Sequence, residues 1–219
     1  MDRRASLAAL VVLGALAAPR GANAPAPARI VFLMPYPQTL RMTASGAFVD
    51  AFRAGMSDGG LVEGRDYVID VRSVSDTPAE RDALVREAIA SRPSIVVASG
   101  GFAASAVLRV GTTLPVVFAH SGDPVEAGLV DSLNRPGRNY TGMTWLSLEL
   151  VGKRLQMLKE LRPQAKRVAL IANPTHPGER QEWGASRDAG TMLGLELFHH
   201  RTGTDDELER AFAAIRGQR

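Results

Sequence analysis

The feature that most constrains the fold is a regular alternation of short apolar runs with longer amphipathic segments from residue 29 onward. RIVFLM (29–34) is a continuous apolar run that Pro35 ends, which is typical of a strand buried on both faces. In the next segment Phe48, Phe52 and Met56 recur every four residues, as on one face of a helix. Repeated β–α units of this kind predict a doubly wound α/β fold with parallel sheets.

The same pattern divides the chain into two series. The predicted strands are 29–34, 67–74, 94–99, 114–120, 140–145, 167–173 and 195–200, and the predicted helices are 44–59, 78–91, 103–110, 147–161, 179–193 and 205–215. Because the 147–161 helix separates the two series, we expect an N-terminal lobe over 29–143 and a second lobe over 144–219. A parallel sheet of only two strands is a poor core, so we expect the second lobe to be incomplete and the chain to be truncated.

Residues 1–28 have the pattern of a secretory signal peptide. A charged start precedes an apolar run over 7–18, which is too short to span a bilayer as a helix, and small residues and prolines follow. We therefore predict export. Ala22-Asn23-Ala24 is one of several candidate cleavage sites, and Arg3-Arg4 leaves a twin-arginine route open.

Composition excludes several classes of function. The chain has no cysteine, which removes disulfides, zinc–thiolate sites, iron–sulfur clusters, cysteine nucleophiles and a lipid-anchored N-terminus. The formal net charge is +3, and without residues 1–28 the count is 23 basic and 22 acidic residues. That balance, with 5% aromatic residues, argues against a nucleic-acid-binding protein.

Motifs for chemistry are missing from the sequence. It has no phosphate-binding loop, no dinucleotide fingerprint after the first strand, no G-x-S-x-G elbow and no H-E-x-x-H, so we expect no cofactor, no metal and no enzyme activity. His120, Ser121 and Asp123 are too close in sequence to face one another as a catalytic triad. Asp123-Pro124 is typical of the start of a helical turn that the Asp caps, and a ligand-facing Asp123 is the alternative.

The other histidines give weaker evidence for a metal site or a ligand contact. His199 and His200 are neighbours on a predicted strand, so their rings should face opposite sides and form a poor metal chelate. His176 lies in a loop, where a single histidine is usually solvated, and ligand contact is the alternative.

Four loops fall where open parallel sheets bind ligands, beyond the carboxyl ends of strands. They cover 35–39, 99–103, 120–124 and 173–177 and are rich in glycine, proline and small polar residues. The loop at 99–105 leads into a helix, so its backbone N–H groups can receive an anion such as a carboxylate. Ordinary β–α turn chemistry is the competing interpretation for each loop taken alone.

Four stretches carry a resemblance to a known family. GDPVEAGLVDSLNRPGRNYTGMT (122–144) is the longest, and LSLELVGKRLQMLKELRP (146–163), RVALIANPTHPG (167–178) and AFRAGMSDGGLVEGRDYVID (51–70) accompany it. In these stretches the chain resembles the ABC-transporter substrate-binding proteins of the tryptophan/tyrosine uptake type, which are similar to type I periplasmic binding proteins. The resemblance covers about residue 29 to the end.

The resemblance implies two α/β lobes that trap a small solute, with an amino acid as the candidate, and deliver it to the permease and ATPase of an importer without changing it. It implies a periplasmic protein that meets the membrane only through the permease. A ligand-sensing module of the same fold that signals to a membrane receptor is the alternative.

By position, the resemblance implies one set of ligand-binding residues: Pro35, Tyr36, Ser99, Gly100, Gly101, Phe102, Ala103, Gly122, Asp123, Pro124, Asn173 and Pro174. Phe102, Tyr36 or Trp145 could cover an apolar ring of the ligand. Where the family often has G-T-P-A-A, this chain has GGFAA (100–104), which loses a hydroxyl group and gains an aromatic ring.

Overall fold

The computed structural model describes residues 26–34, 46–75 and 77–217. Its first half is a five-stranded, fully parallel sheet in the order β2-β1-β3-β4-β5. The strands are β1 (Ala28–Met34), β2 (Tyr67–Ser73), β3 (Ile95–Ser99), β4 (Val116–His120) and β5 (Tyr140–Thr144), and the helices between them are α1 (Gly46–Asp58), α2 (Pro78–Ala90) and α3 (Gly100–Val110). The predicted α/β class with parallel strands is confirmed.

Among the described residues, the second half contains a parallel pair of strands, one 3₁₀ helix and three α-helices. They are a short 3₁₀ helix (Ser147–Leu150), α4 (Val151–Leu161), β6 (Arg167–Ala172), α5 (Glu179–Met192), β7 (Glu196–Arg201) and α6 (Asp205–Gly217). Among the described residues β6 pairs with β7 alone.

Two local differences separate these elements from the predicted ones. Helix α3 begins at Gly100 rather than Ala103, because Gly100 has a φ of 85° and turns the chain directly from β3 into the helix. The first turn of the predicted 147–161 helix is a 3₁₀ helix that follows Leu146, whose φ is 45°.

Two apolar layers cover the faces of the five-stranded sheet. On one face Val31 and Leu33 pack with residues of α2 and α3, including Val85 and Val107. On the other face Ile30, Phe32 and Met34 pack with Val49 and Met56 of α1. Successive side chains of β1 therefore alternate between two buried faces, which explains why its sequence is continuously apolar.

The core around β6 and β7 is thinner. Its buried apolar side chains among the described residues are Val151, Leu155 and Leu195, with partly buried neighbours on α5 and both strands. The chain crosses to it directly from the carboxyl edge of the first sheet. The Trp145 N–H donates to the His120 carbonyl at 3.1 Å, and the Ser147 N–H donates to the Ser121 carbonyl at 2.8 Å.

Some predictions fall outside the described residues, namely Pro35, Tyr36 and nearly all of the 1–28 signal segment. The lobe boundary near residue 144 stays a prediction. No helix in the described ranges is long and apolar enough to cross a membrane.

Candidate functional site

Three elements meet around Gly101, in the first turn of α3. A Cβ placed on Gly101 would lie 3.4 Å from Cε1 and 3.6 Å from Nδ1 of His120, at the end of β4. The same Cβ would lie 3.7 Å from Nε2 of His176, in the loop between β6 and α5. We call this group the Gly101 site. It consists of Gly101, His120 and His176, and it joins the carboxyl edges of both sheets.

The start of α3 offers backbone N–H donors to this site. Ser99 occupies the N-cap position and makes no side-chain cap hydrogen bond. The first N–H groups of a helix have no partner within the helix, and its dipole makes this end positive. The backbone beside Gly101 is therefore suited to an anion.

His120 is buried in an unusual way. It is 6% exposed, and among the described residues its Nδ1 has no hydrogen-bond partner. A Cβ on Gly122 would lie 3.1 Å from its Nε2, so the ring lies between Gly122 and Gly101. Burial and then the nearby His176 lower the pKa of His120, and Asp123 opposes them. The imidazole is thus uncharged at neutral pH.

His176 is half-buried and packs on α3, so the expectation of a solvated loop histidine was wrong. Its ring meets Phe102 edge-on with centroids 5.3 Å apart. The Gly178 N–H donates to its Nδ1 at 3.2 Å, so the neutral ring carries its proton on Nε2, which faces Gly101. Burial lowers the pKa of His176, and Glu182 opposes this.

Sequence reasoning missed Arg81, on α2. It is 3% exposed, its Nε donates to the Ser75 carbonyl at 2.9 Å, and its Cζ lies 4.4 Å from the centroid of the Phe102 ring. Phe102 is thus held between a cation and an imidazole. A signal was available, because Arg81 shares the buried stripe of α2 with Val85 and Ala88.

Two polar side chains from the predicted ligand-binding set, Asp123 and Asn173, accept hydrogen bonds from their own loops. Asp123 Oδ1 accepts from the Val125 N–H at 2.7 Å and from the Glu126 N–H at 3.3 Å, in agreement with the capping interpretation. Asn173 Oδ1 accepts from the backbone N–H and the hydroxyl group of Thr175, both at 2.9 Å. Both side chains shape the edge of the site by fixing loops.

The remaining predicted positions divide between the open edge and the core. Ser99, Gly100 and Phe102 are half-buried at the start of α3, whereas Ala103 and Pro124 are buried. Trp145 lies at the same edge, 55% exposed, directly after β5.

A second cluster supports the His176 loop. Glu179, 6% exposed at the start of α5, has its Oε1 3.1 Å from His199 Nε2 and 3.1 Å from Arg201 Nε. The Trp183 ring stacks on His199 with centroids 4.3 Å apart. The Glu179 N–H donates to the His176 carbonyl at 3.1 Å, which ties this cluster to the Gly101 site. Within the described ranges no group of three or more acidic or histidine side chains could hold a metal.

Comparison with known sequences gives two matches. Residues 38–217 match the family described as ABC transporter substrate binding protein. A tyrosine-binding protein of Clostridioides difficile is 24% identical over 168 residues, which are 76% of this chain and 48% of that protein. The chain therefore spans about half the length of this curated relative.

Solved structures agree with the fold. A conserved domain protein of Vibrio cholerae gives a TM-score of 0.76 at 24% identity, over 86% of this chain and 62% of that one. An ABC domain of Streptococcus pneumoniae in complex with L-Trp gives a TM-score of 0.73 at 18% identity, over 87% and 62%. The family match extends over most of the residues, and the chain belongs to the ABC transporter substrate-binding protein family.

Proposed function

We propose that this chain is the solute-capturing component of a periplasmic ABC importer. It holds a small solute, with an aromatic amino acid as the first candidate, between the lobes 29–143 and 144–219 and passes it unchanged to a membrane permease. The observation that carries the proposal is the Gly101 site, where α3 and β4 of one sheet meet His176 from the other. A solute bound there would touch both lobes, as capture by hinge closure requires.

The chemistry of the site favours binding over catalysis. The Asp123 carboxylate is occupied by two backbone N–H groups, so it does not orient His120 as the acid of a triad would. The start of α3 presents backbone donors and a positive end. Such an arrangement recognises a polar group without activating a nucleophile.

Aromatic surfaces flank the same edge. The Phe102 ring is half-buried beside His176, and the exposed Trp145 ring follows β5. Apolar walls with a few placed polar groups are typical of small-molecule sites. The tyrosine-binding relative and the tryptophan complex support the choice of aromatic amino acids as probes.

Calorimetric titration with L-tyrosine and L-tryptophan tests the proposal. We expect saturable binding of at least one of them by the unaltered protein. Gly101→Ala should weaken it at least about tenfold, because the added methyl group occupies the space beside both imidazoles. Gly55→Ala, in α1 with nothing within 4 Å of the added Cβ, is the matched control and should bind normally.

Two results would overturn the proposal. One is the absence of binding of both amino acids by the unaltered protein. The other is recovery of a chemically altered solute by mass spectrometry after incubation, which would make the protein an enzyme.

A further inference from the structure

The unpaired Nδ1 of His120 calls for a partner. A buried polar atom without a hydrogen bond is destabilising, so such an atom in a native protein usually has a water, an ion or a ligand as its partner. This one belongs to a side chain that is 6% exposed, and it lies 3.6 Å from where a Gly101 Cβ would be. It therefore faces the first turn of α3.

The groups around that space are donors. His176 presents its Nε2–H, because its Nδ1 accepts from Gly178. The α3 start presents backbone N–H groups and the positive end of the helix. The neutral His120 ring can place its proton on Nδ1 and become a third donor. An ammonium group would leave these donors unpaired, whereas a carboxylate accepts from several donors at once.

We propose that His120 and His176 form a pair of donors, one from each sheet, that holds the carboxylate of the ligand against the first turn of α3. The inference rests on the proposed function and names the recognised group. The ligand then joins the two sheets through its own carboxylate, and the solutes accepted are carboxylic acids whether or not they carry an amine.

The nearby acids argue that the amine matters less than the carboxylate. Asp123 is occupied by the N–H groups of Val125 and Glu126. Glu179 lies within ion-pair distance of Arg201. The Oδ1 atom of Asp123 and the carboxylate of Glu179 are thus already engaged, so an ammonium group gains less from these two acids.

The affinity for a carboxylate ligand should therefore change with pH in one predictable direction. The charged groups that face the imidazoles are Asp123 toward His120, Glu182 toward His176, and Arg81 beyond the Phe102 ring. A bound carboxylate adds a negative charge and raises the pKa of both imidazoles. The complex then holds more protons than the free protein, so the affinity rises as the pH falls. The total gain is about tenfold for each unit by which binding raises a pKa.

Calorimetry with three probes on the full chain tests the assignment. L-tyrosine and 3-(4-hydroxyphenyl)propionate keep the carboxylate, whereas L-tyrosinamide lacks it. We expect the two acids to bind and to bind several-fold more tightly at about pH 5.5 than at about pH 7.5, and the amide to bind at least about tenfold more weakly than L-tyrosine. Equal affinities for the amide and L-tyrosine, or the opposite pH trend, would overturn the assignment.

Variants give a second measurement. His120→Phe and His176→Phe should each lose affinity for L-tyrosine and flatten the pH trend, whereas His200→Asn, on β7, should do neither. If a variant does not fold, ¹⁵N NMR of the unaltered protein decides: L-tyrosine should shift the imidazole signals of His120 and His176, and unmoved signals contradict the assignment. Failure of L-tyrosine and L-tryptophan to bind at all would overturn the proposed function, whereas binding that ignores both histidines overturns only the carboxylate assignment.

Discussion

At the residue scale, the site depends on the space that two glycines provide because they have no side chain. Gly101 removes the side chain that would otherwise touch both imidazoles, and Gly122 leaves room for the His120 ring at the end of β4. The cost is a buried Nδ1 without a partner among the described residues. A ligand that supplies this partner would recover about 1–3 kcal/mol, which would favour binding.

The two imidazoles should make stability depend on pH. The folded-state pKa values of His120 and His176 lie below the ordinary value of 6.5. The unfolded chain therefore takes up protons first as the pH falls, so their stabilising contribution is complete above about pH 6.5 and is lost below it, by about 1.4 kcal/mol for each pKa unit of lowering.

Urea unfolding of the ligand-free protein between about pH 7 and pH 5 measures this dependence. A double variant, His120→Asn with His176→Asn, should lose less free energy of unfolding over that range than the unaltered protein does. Identical slopes for the two proteins would show that these histidines are not buried in the neutral form.

At the scale of elements, the connection from β4 to β5 explains a prominent part of the sequence. Asp123 fixes the first turn of the connection, and Gly142 lets β5 approach β4. A Cβ on Gly142 would clash with the Phe118 carbonyl oxygen and ring, which a side chain cannot avoid while the strands stay paired. Much of the GDPV…RPG…TG segment therefore builds the sheet edge.

Two glycine substitutions should have opposite effects on stability. Gly142→Ala should lower the free energy of unfolding by about 1–3 kcal/mol through overpacking against β4. Gly55→Ala should raise it by about 0.5–1 kcal/mol, because alanine favours the helix and meets nothing within 4 Å. Chemical denaturation measures both, and a neutral Gly142→Ala would contradict the close strand approach.

The start of α5 depends on a buried carboxylate. Glu179→Gln removes the charge that faces His199 and Arg201 and should lower the free energy of unfolding by about 1–3 kcal/mol. Glu196→Gln, which affects an exposed pair with Arg167, should change it by less than about 1 kcal/mol. Thermal unfolding compares the two variants, and equal effects would count against a supporting role for Glu179.

The secondary-structure elements could be predicted from the sequence, whereas the contacts between different elements could not. Hydrophobic periodicity identified the strands and helices because each buries its own repeating face, as β1 and α1 do. His176 gave no such signal, since its burial depends on a loop of the second sheet reaching α3. Arg81 could have been noticed as a charge on an apolar stripe, but only the structure places it against Phe102.

At the scale of the whole molecule, the crossover is suited to a hinge. It begins beside His120 and Ser121, whose carbonyl groups accept from Trp145 and Ser147, and Leu146 between them has a left-handed φ of 45°. Such a conformation is costly for a non-glycine residue and often marks a position that changes during motion. Under the proposed function, a rotation there would move His176 relative to Gly101 and would couple solute capture to lobe closure.

Hydrogen–deuterium exchange with and without saturating L-tyrosine or L-tryptophan tests this account most directly. We expect slower exchange in three segments together: the first turn of α3 (100–103), the end of β4 with its loop (120–124), and the loop between β6 and α5 (173–178). The first two belong to one sheet and the third to the other, so joint protection reports a solute held between them. Protection confined to one sheet, or to none of the three segments, would contradict the account.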